Sequence, residues 1–380
     1  MKQSPLVLTA FDRQQRAADA AYAFTQDASF FYMTHVQEPG WLYVEDKARR
    51  YLIAPNMSEV ERLFDGALSN EEAQRISGVE TVLSTQEGEE LLAQLATQYE
   101  TVYTVFPDEH ASATMAANPA PKRLAAMLQK HFVHVEDARP MLYARRARKS
   151  SKEIHTMQRA AGITIQGFRR VYASLQKAQH EYELEADLTY IFRKSGATGH
   201  AYDPIVAAGL HACTLHYVHN NAKLPKNGLV LIDAGAEVDG YCADVTRTYA
   251  IGTPTERQKA VHAAVETAHH KIIALLGPEK SVQDYHEAVD RIMKSALKSL
   301  GLYTKPEDYR KYFPHAISHG LGIDVHDPLG KPTHFKPGMV LTVEPGIYIP
   351  EEGIGVRIED DILITKTGIE NLTGALSTSL

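Results

Sequence analysis

Four acidic residues stand where apolar strands end or return, a placement that could do chemistry. Leu229-Val230-Leu231-Ile232 runs into Asp233, and Asp244-Val245-Thr246-Arg247-Thr248-Tyr249 reads as the returning strand. Asp239-Gly240, between them, is a strong hairpin signal. A turn centred between Val238 and Asp239 brings Asp233 and Asp244 near one another across the ladder, on one face. The arithmetic repeats later in the chain. Met339-Val340-Leu341-Thr342-Val343 runs into Glu344, Pro350-Glu351-Glu352-Gly353 supplies a turn, and Gly355-Val356-Arg357-Ile358 leads to Glu359. Glu344 and Glu359 are equidistant from a point between Glu351 and Glu352. Near-continuous apolar strands are buried on both faces. A carboxylate at the end of such a strand costs several kcal/mol unless it is paired or bound to a metal. Four such acids therefore point to hard or borderline divalent cations: manganese, cobalt, zinc or magnesium.

A nitrogen ligand would favour the transition metals, and the segment between the two hairpins offers one. Phe313-Pro314-His315-Ala316-Ile317-Ser318-His319-Gly320-Leu321-Gly322-Ile323-Asp324-Val325-His326 carries three histidines and two glycines. His216 ends another short strand, Leu215-His216-Tyr217. His315, His319, His216 and His326 are therefore candidates for the site. His211, His219, His269 and His270 read as ordinary structural residues, as does Asp360, which alternates to the face opposite Glu359.

The elements that must position these groups follow from capping and periodicity. Ser150 with Glu153 opens a long helix with apolar positions at Ile154, Met157, Ala161 and Ile165, and a second helix spans roughly 181–195. Thr255 with Gln258 and Ser281 with Asp284 open two more, over roughly 255–276 and 281–300. Each helix pair precedes acidic strands, a hint of an internal repeat. Residues 1–149 read as a smaller α/β domain. Its strands are Leu6–Ala10, Phe30-Phe31-Tyr32, Trp41–Val44, Tyr51–Ala54 and Thr101–Val105; helices open at Ser58 and Ser84 and another covers Lys122–Gln129. The basic stretch Arg145-Arg146-Ala147-Arg148-Lys149 reads as a solvated linker, with residues 150–380 forming the second domain.

Bulk properties narrow the function class. The 380 residues carry a formal net charge of -7 with the charges interspersed, which argues against nucleic acid as a partner. No apolar run approaches the roughly 20 residues of a membrane span, and Leu6–Ala10 is too short for a secretory core. Two distant cysteines, Cys213 and Cys242, suit free thiols in a reducing cytoplasm.

Five sequence motifs carry a resemblance. Leu231-Ile232-Asp233-Ala234-Gly235, Gly240-Tyr241-x-x-Asp244-x-Thr246-Arg247-Thr248, His315-x-x-Ser318-His319-x-Leu321-Gly322, Thr342-Val343-Glu344-Pro345-Gly346 and Arg357-Ile358-Glu359-Asp360-Asp361 resemble the proline-peptidase branch of the pita-bread metallopeptidases, which holds aminopeptidase P and prolidase. Tyr22-x-Phe24-x-Gln26-Asp27-x-x-Phe30-x-Tyr32 is similar to the first-domain signature of aminopeptidase P. The resemblance implies an α/β first domain followed by an α+β pita-bread catalytic domain. It implies two divalent ions, manganese first and cobalt or zinc next. Asp233 would chelate one ion, Asp244 and Glu359 would bridge the pair, and His319 and Glu344 would complete the other. His216, His315 and His326 would contact substrate or the tetrahedral intermediate, and Arg357 would hold an aspartate ligand. Tyr241 and Thr246 would support the ligand strands, and Asp19 would reach a neighbouring subunit's site in a homodimer or homotetramer. The implied reaction is hydrolysis of the Xaa-Pro bond at peptide N-termini by a hydroxide bridging the metals, with Glu344 passing the proton to the leaving nitrogen. Prolidase, which cuts only Xaa-Pro dipeptides, shares every metal motif and is the alternative; a non-catalytic peptide-binding protein on the same fold is a third.

Overall fold

The computed structural model describes residues 4–47, 49–107 and 116–380. Contacts divide the chain into Met1–Tyr143 and Ala144–Leu380.

The first unit is built on one mixed six-stranded sheet. Its strands run in the order Thr81–Leu83, Arg49–Ile53, Leu42–Asp46, Leu6–Thr9, Thr101–Thr104 and His134–Asp137. Helices such as Thr85–Ala96 and Ala120–Leu128 cover it. Their apolar faces bury Leu92, Leu95, Leu124 and Leu128 against Val7, Val44 and Val102. The expected strand at Phe30-Phe31-Tyr32 is instead a helix, Ala28–Thr34. Asp27 caps it by accepting the Phe30 N–H at 2.7 Å, and the cap together with burial of Phe30 and Phe31 overrides the strand preference of an aromatic run.

In the second unit the helix-pair-then-hairpin pattern occurs twice. Helices Ser151–Ser174 and Glu181–Lys194 pack on a three-stranded antiparallel sheet of Ile205–Ala208, Gly228–Asp233 and Thr246–Ile251. Phe168, Leu184, Leu188 and Phe192 meet Val206, Val230 and Ile232 in that core. Helices Glu256–Ile273 and Val282–Ser299 pack likewise on strands from Val340–Val343 to Asp360–Ile364. Full burial of each large apolar side chain contributes about 1.5–3 kcal/mol. Full capping boxes at Ser150 and Thr255 start two of these helices.

The basic stretch departs from expectation. Arg146 and Lys149 are not solvated: both are buried and both ion-pair with the buried Asp327, Lys149 Nζ at 2.9 Å. Two buried cations opposite Asp327 and the neighbouring Asp324 keep the charge balanced, which the sequence-local reading of a charge run could not reveal. Among the described residues no helix is long and apolar enough to cross a membrane, and both cysteines are free.

Candidate metal centre

The two hairpins set the acids. In the first, one register runs from Asp233↔Thr246 to Val238↔Tyr241, so the turn centres between Asp239 and Gly240, whose φ angles are 48° and 77°. That is a two-residue primed turn, one residue later than the sequence arithmetic placed it. Asp233 and Asp244 are consequently not directly opposite but two positions out of register. The side chain of Tyr202 closes the gap: its hydroxyl lies 2.5 Å from Asp233 Oδ1 and 2.5 Å from Asp244 Oδ1. In the second hairpin Gly346↔Arg357 and Val343↔Asp360 share one register, the one that sets Glu344 opposite Glu359.

The four hairpin acids and the four candidate histidines line one cavity of about 760 Å³: Asp233, Asp244, Glu344, Glu359, His216, His315, His319 and His326, with Arg357. Donor atoms of Asp244, His319 and Glu359 lie within 4.8 Å of one another. His319 Nε2 is 3.5 Å from Asp244 Oδ2 and 3.4 Å from Glu344 Oε1. The Nδ1 of His319 lies 3.0 Å from the Gly320 carbonyl; an N–H donated there leaves Nε2 with its lone pair facing the acids.

Neighbouring groups fix each acid in turn. Arg357 Nη2 donates to Asp233 Oδ2 at 2.5 Å, its Nε donates to Thr246 Oγ1 at 3.0 Å, and its Nη1 donates to the Tyr348 hydroxyl at 2.7 Å. Thr246 Oγ1 donates to Glu359 Oε2 at 2.7 Å, and Thr342 Oγ1 to Glu344 Oε1 at 3.1 Å. His315 Nε2 meets the Tyr348 hydroxyl at 2.9 Å. His326 stacks at an angle beside His319, with ring centroids 4.2 Å apart.

The electrostatics show what this cluster wants. Burial, then the charges of Asp233 and Asp361, pushes Asp244 well above the usual carboxylate range. Burial, then Asp244 and Glu344, does the same to Glu359. Burial lifts Glu344 to about 7 even though Arg357 opposes it. The imidazoles move the other way: burial lowers His319 to about 4 and His315 to about 3. Acids that resist ionising and histidines held neutral form a donor set that a divalent cation would stabilise, because it supplies the positive charge the acids lack and takes neutral imidazole as ligand. These residues fit divalent metal.

Other members of the cavity wall carried no periodic signal. Tyr202 and Asp203 sit in an irregular segment before the strand Ile205–Ala208. Tyr348 was legible in principle, since it alternates onto the same face as Glu344. Gly346 makes room for it: a Cβ there would lie 2.5 Å from the Tyr348 hydroxyl. Asp324 also lines the cavity, tied at 2.6 Å to Arg146. Asp360 lies away from the cavity, paired with Arg247 at 2.6 Å, and His211 faces Glu181. Asp19 lies at the exposed turn between the short strands Gln15–Ala17 and Ala20–Ala21.

Residues 155–366 match metallopeptidase family M24, and residues 1–103 match the N-terminal domain of aminopeptidase P. The Xaa-Pro aminopeptidase of Escherichia coli (strain K12) is 34% identical, over 95% of this chain and 88% of its own length. That of Haemophilus influenzae is 33% identical, over 98% and 90%. Among solved structures, E. coli aminopeptidase P with the inhibitor Pro-Leu superposes with a TM-score of 0.87 at 31% identity, covering 99% of this chain and 92% of that one. Proline aminopeptidase P II from Yersinia pestis gives a TM-score of 0.85 at 33% identity, covering 99% and 93%.

Proposed function

This chain belongs to metallopeptidase family M24, with an aminopeptidase P N-terminal domain followed by a pita-bread catalytic domain, and from that premise we propose that it is a dinuclear-metal Xaa-Pro aminopeptidase. It removes the first residue of peptides whose second residue is proline. The observation that carries this reading is the convergence of three buried acids, the half-buried Glu344 and His319 on one cavity with three further histidines.

Asp233, Asp244, His319, Glu344 and Glu359 would hold two divalent ions, manganese first and cobalt or zinc as alternatives. Such ions supply Lewis acidity at the scissile carbonyl and lower the pKa of an attacking water. The chain's own groups do the rest. Arg357 and Tyr202 fix the oxygens of Asp233, and Thr246 fixes Glu359. Glu344 takes a proton at its carboxylate and returns it to the leaving proline nitrogen. His216 and His326, on the cavity wall, stabilise the negative charge that develops on the carbonyl oxygen. His315 holds its position through Tyr348 and faces Glu344 Oε2 at 3.4 Å. Proline has no amide hydrogen to donate, so its recognition falls to shape, and Ile205, Leu215 and Val218 provide an apolar wall. The same reading carries a homodimer or homotetramer working in the cytoplasm; sedimentation and cell fractionation measure both.

The test is metal-stripped protein restored with each metal and assayed on Xaa-Pro-Xaa tripeptides and Xaa-Pro dipeptides. Release of the first residue from tripeptides is expected. Cleavage of dipeptides alone would make the protein a prolidase, and no cleavage with any metal would sink the peptidase reading. Asp244→Ala and Glu359→Ala are expected to abolish metal-dependent turnover while the far-UV circular dichroism stays unchanged.

A further inference from the structure

Behind the acid cluster, on the face of Thr246–Ile251 away from the cavity, one side chain has every donor used. Arg247 is 1% exposed, the largest side chain so deeply buried among the described residues. A guanidinium has five N–H groups in a fixed fork, and five acceptors surround this one. Nη1 reaches the carbonyls of Thr246 at 2.9 Å and Glu359 at 2.6 Å. Nη2 reaches Asp360 Oδ1 at 2.6 Å and the Leu376 carbonyl at 3.2 Å, and Nε reaches the Ser377 carbonyl at 3.0 Å. The acceptors belong to three segments: its own strand, the stretch around Glu359 where the strand Ile354–Arg357 passes into Asp360–Ile364, and the C-terminal residues Leu376 and Ser377.

Glu359 is the residue that gains. Its N–H donates to the Thr246 carbonyl at 3.0 Å, its carbonyl accepts from Arg247, and its Oε2 accepts from Thr246 Oγ1. Only Oε1 has no hydrogen-bond partner among the described residues. Asp360, next in sequence, is pinned from the other side by Arg247, Asn371 Nδ2 at 2.9 Å and Thr373 Oγ1 at 2.7 Å. Farther along the tail, Thr378 Oγ1 donates to Glu266 at 2.7 Å, which ties the end of the chain to the helix Glu256–Ile273.

We propose that Arg247 is a positioning residue that makes the C-terminal segment part of the metal centre, holding the Glu359 backbone against the Leu376 and Ser377 carbonyls so that one carboxylate oxygen stays aimed at the cation. The inference rests on the reading of Glu359 as a metal ligand. A lysine at this place would keep a positive charge beside Asp360, but three donors on a point charge cannot reach three segments at once.

The experiment titrates the full-length, metal-stripped protein with Co²⁺ alone and follows the visible absorption of the bound ion. Arg247→Lys and a chain ending at Ala375 are expected to keep the wild-type far-UV circular dichroism, to bind Co²⁺ at least tenfold more weakly, and to show an altered absorption band. Wild-type affinity and spectrum in a folded variant overturn the proposal; should Arg247→Lys not fold, the shortened chain decides. Glu359→Gln separates the two readings. If it binds Co²⁺ as the wild type does, the ligand role of Glu359 itself fails. If it loses Co²⁺ while the other two variants titrate normally, the positioning role alone is wrong.

Discussion

Asp233, Asp244, Glu344 and Glu359 each have at least one carboxylate oxygen held by a neighbouring hydroxyl or guanidinium. Tyr348 shows how this works at a single residue. Its hydroxyl lies between Arg357 Nη1 at 2.7 Å and His315 Nε2 at 2.9 Å, and burial has pushed its own ionisation up to about 12, so it stays a neutral relay. Removing the hydroxyl strands a buried guanidinium hydrogen and a half-buried imidazole nitrogen, at about 1–3 kcal/mol. Arg357 then holds Asp233 less firmly. Tyr348→Phe is expected to lower kcat/KM about tenfold, equivalent to about 1.4 kcal/mol, with far-UV circular dichroism unchanged. Steady-state kinetics on a proline-containing tripeptide measures it, and an unchanged kcat/KM removes Tyr348 from the support of the site. Residues of this kind divide by how they are read. Asp233, Glu344 and Glu359 were legible because each interrupts an apolar strand. Tyr202 was not, because it stands in an irregular segment and its meaning lies wholly in two contacts across space.

At the scale of elements, the hairpins decide whether the acids meet. The helix starts were legible because a serine or threonine followed by an acid or amide three residues on states its own hydrogen bond. The second hairpin's register could also be counted from the sequence. The first departs from that count: Asp239 and Gly240 both take positive φ and form the turn themselves, so it centres one residue beyond the midpoint of Asp233 and Asp244. Gly235 explains what that register requires. A Cβ there would sit 1.6 Å from the Ala243 carbonyl oxygen, in backbone that cannot yield without parting the strands. Gly235→Ala is therefore expected to cost about 3 kcal/mol or more in urea unfolding. Gly162 gives the contrast. It lies in the interior of the helix Ser151–Ser174, with nothing within 4 Å of a Cβ. Gly162→Ala is expected to add about 0.5–1 kcal/mol through helix propensity. If the two substitutions behave alike, close approach is not what fixes glycine at 235.

For the whole molecule, the acid cluster and the neutral histidines make stability depend on pH and metal together. Asp244, Glu359 and Glu344 hold protons in the metal-free folded state that the unfolded chain has already released, Glu344 up to about 7. Their stabilising share is complete below the ordinary carboxylate pKa and is lost as pH rises through the raised values. His315 at about 3, His319 at about 4 and His269 at about 4 act in the opposite sense. The unfolded chain protonates these histidines first, so they destabilise the fold as pH falls below 6.5. The opposing slopes leave one clear window. From about one pH unit above the ordinary histidine pKa the imidazoles are neutral in both states and the raised acids remain, so the metal-free protein should lose stability as pH rises from about 7.5 to 8.5. Metal binding needs those acids ionised and therefore releases protons, so affinity grows over the same window. Chelated protein is expected to show a melting temperature that falls from about pH 7.5 to 8.5. Protein with saturating Mn²⁺ is expected to show a metal-induced rise in melting temperature that widens across the same range. Calorimetry at four pH values, with and without chelator, measures both trends. A metal-induced rise that shrinks as pH increases would mean that the buried carboxylates are not the groups that take up the cation.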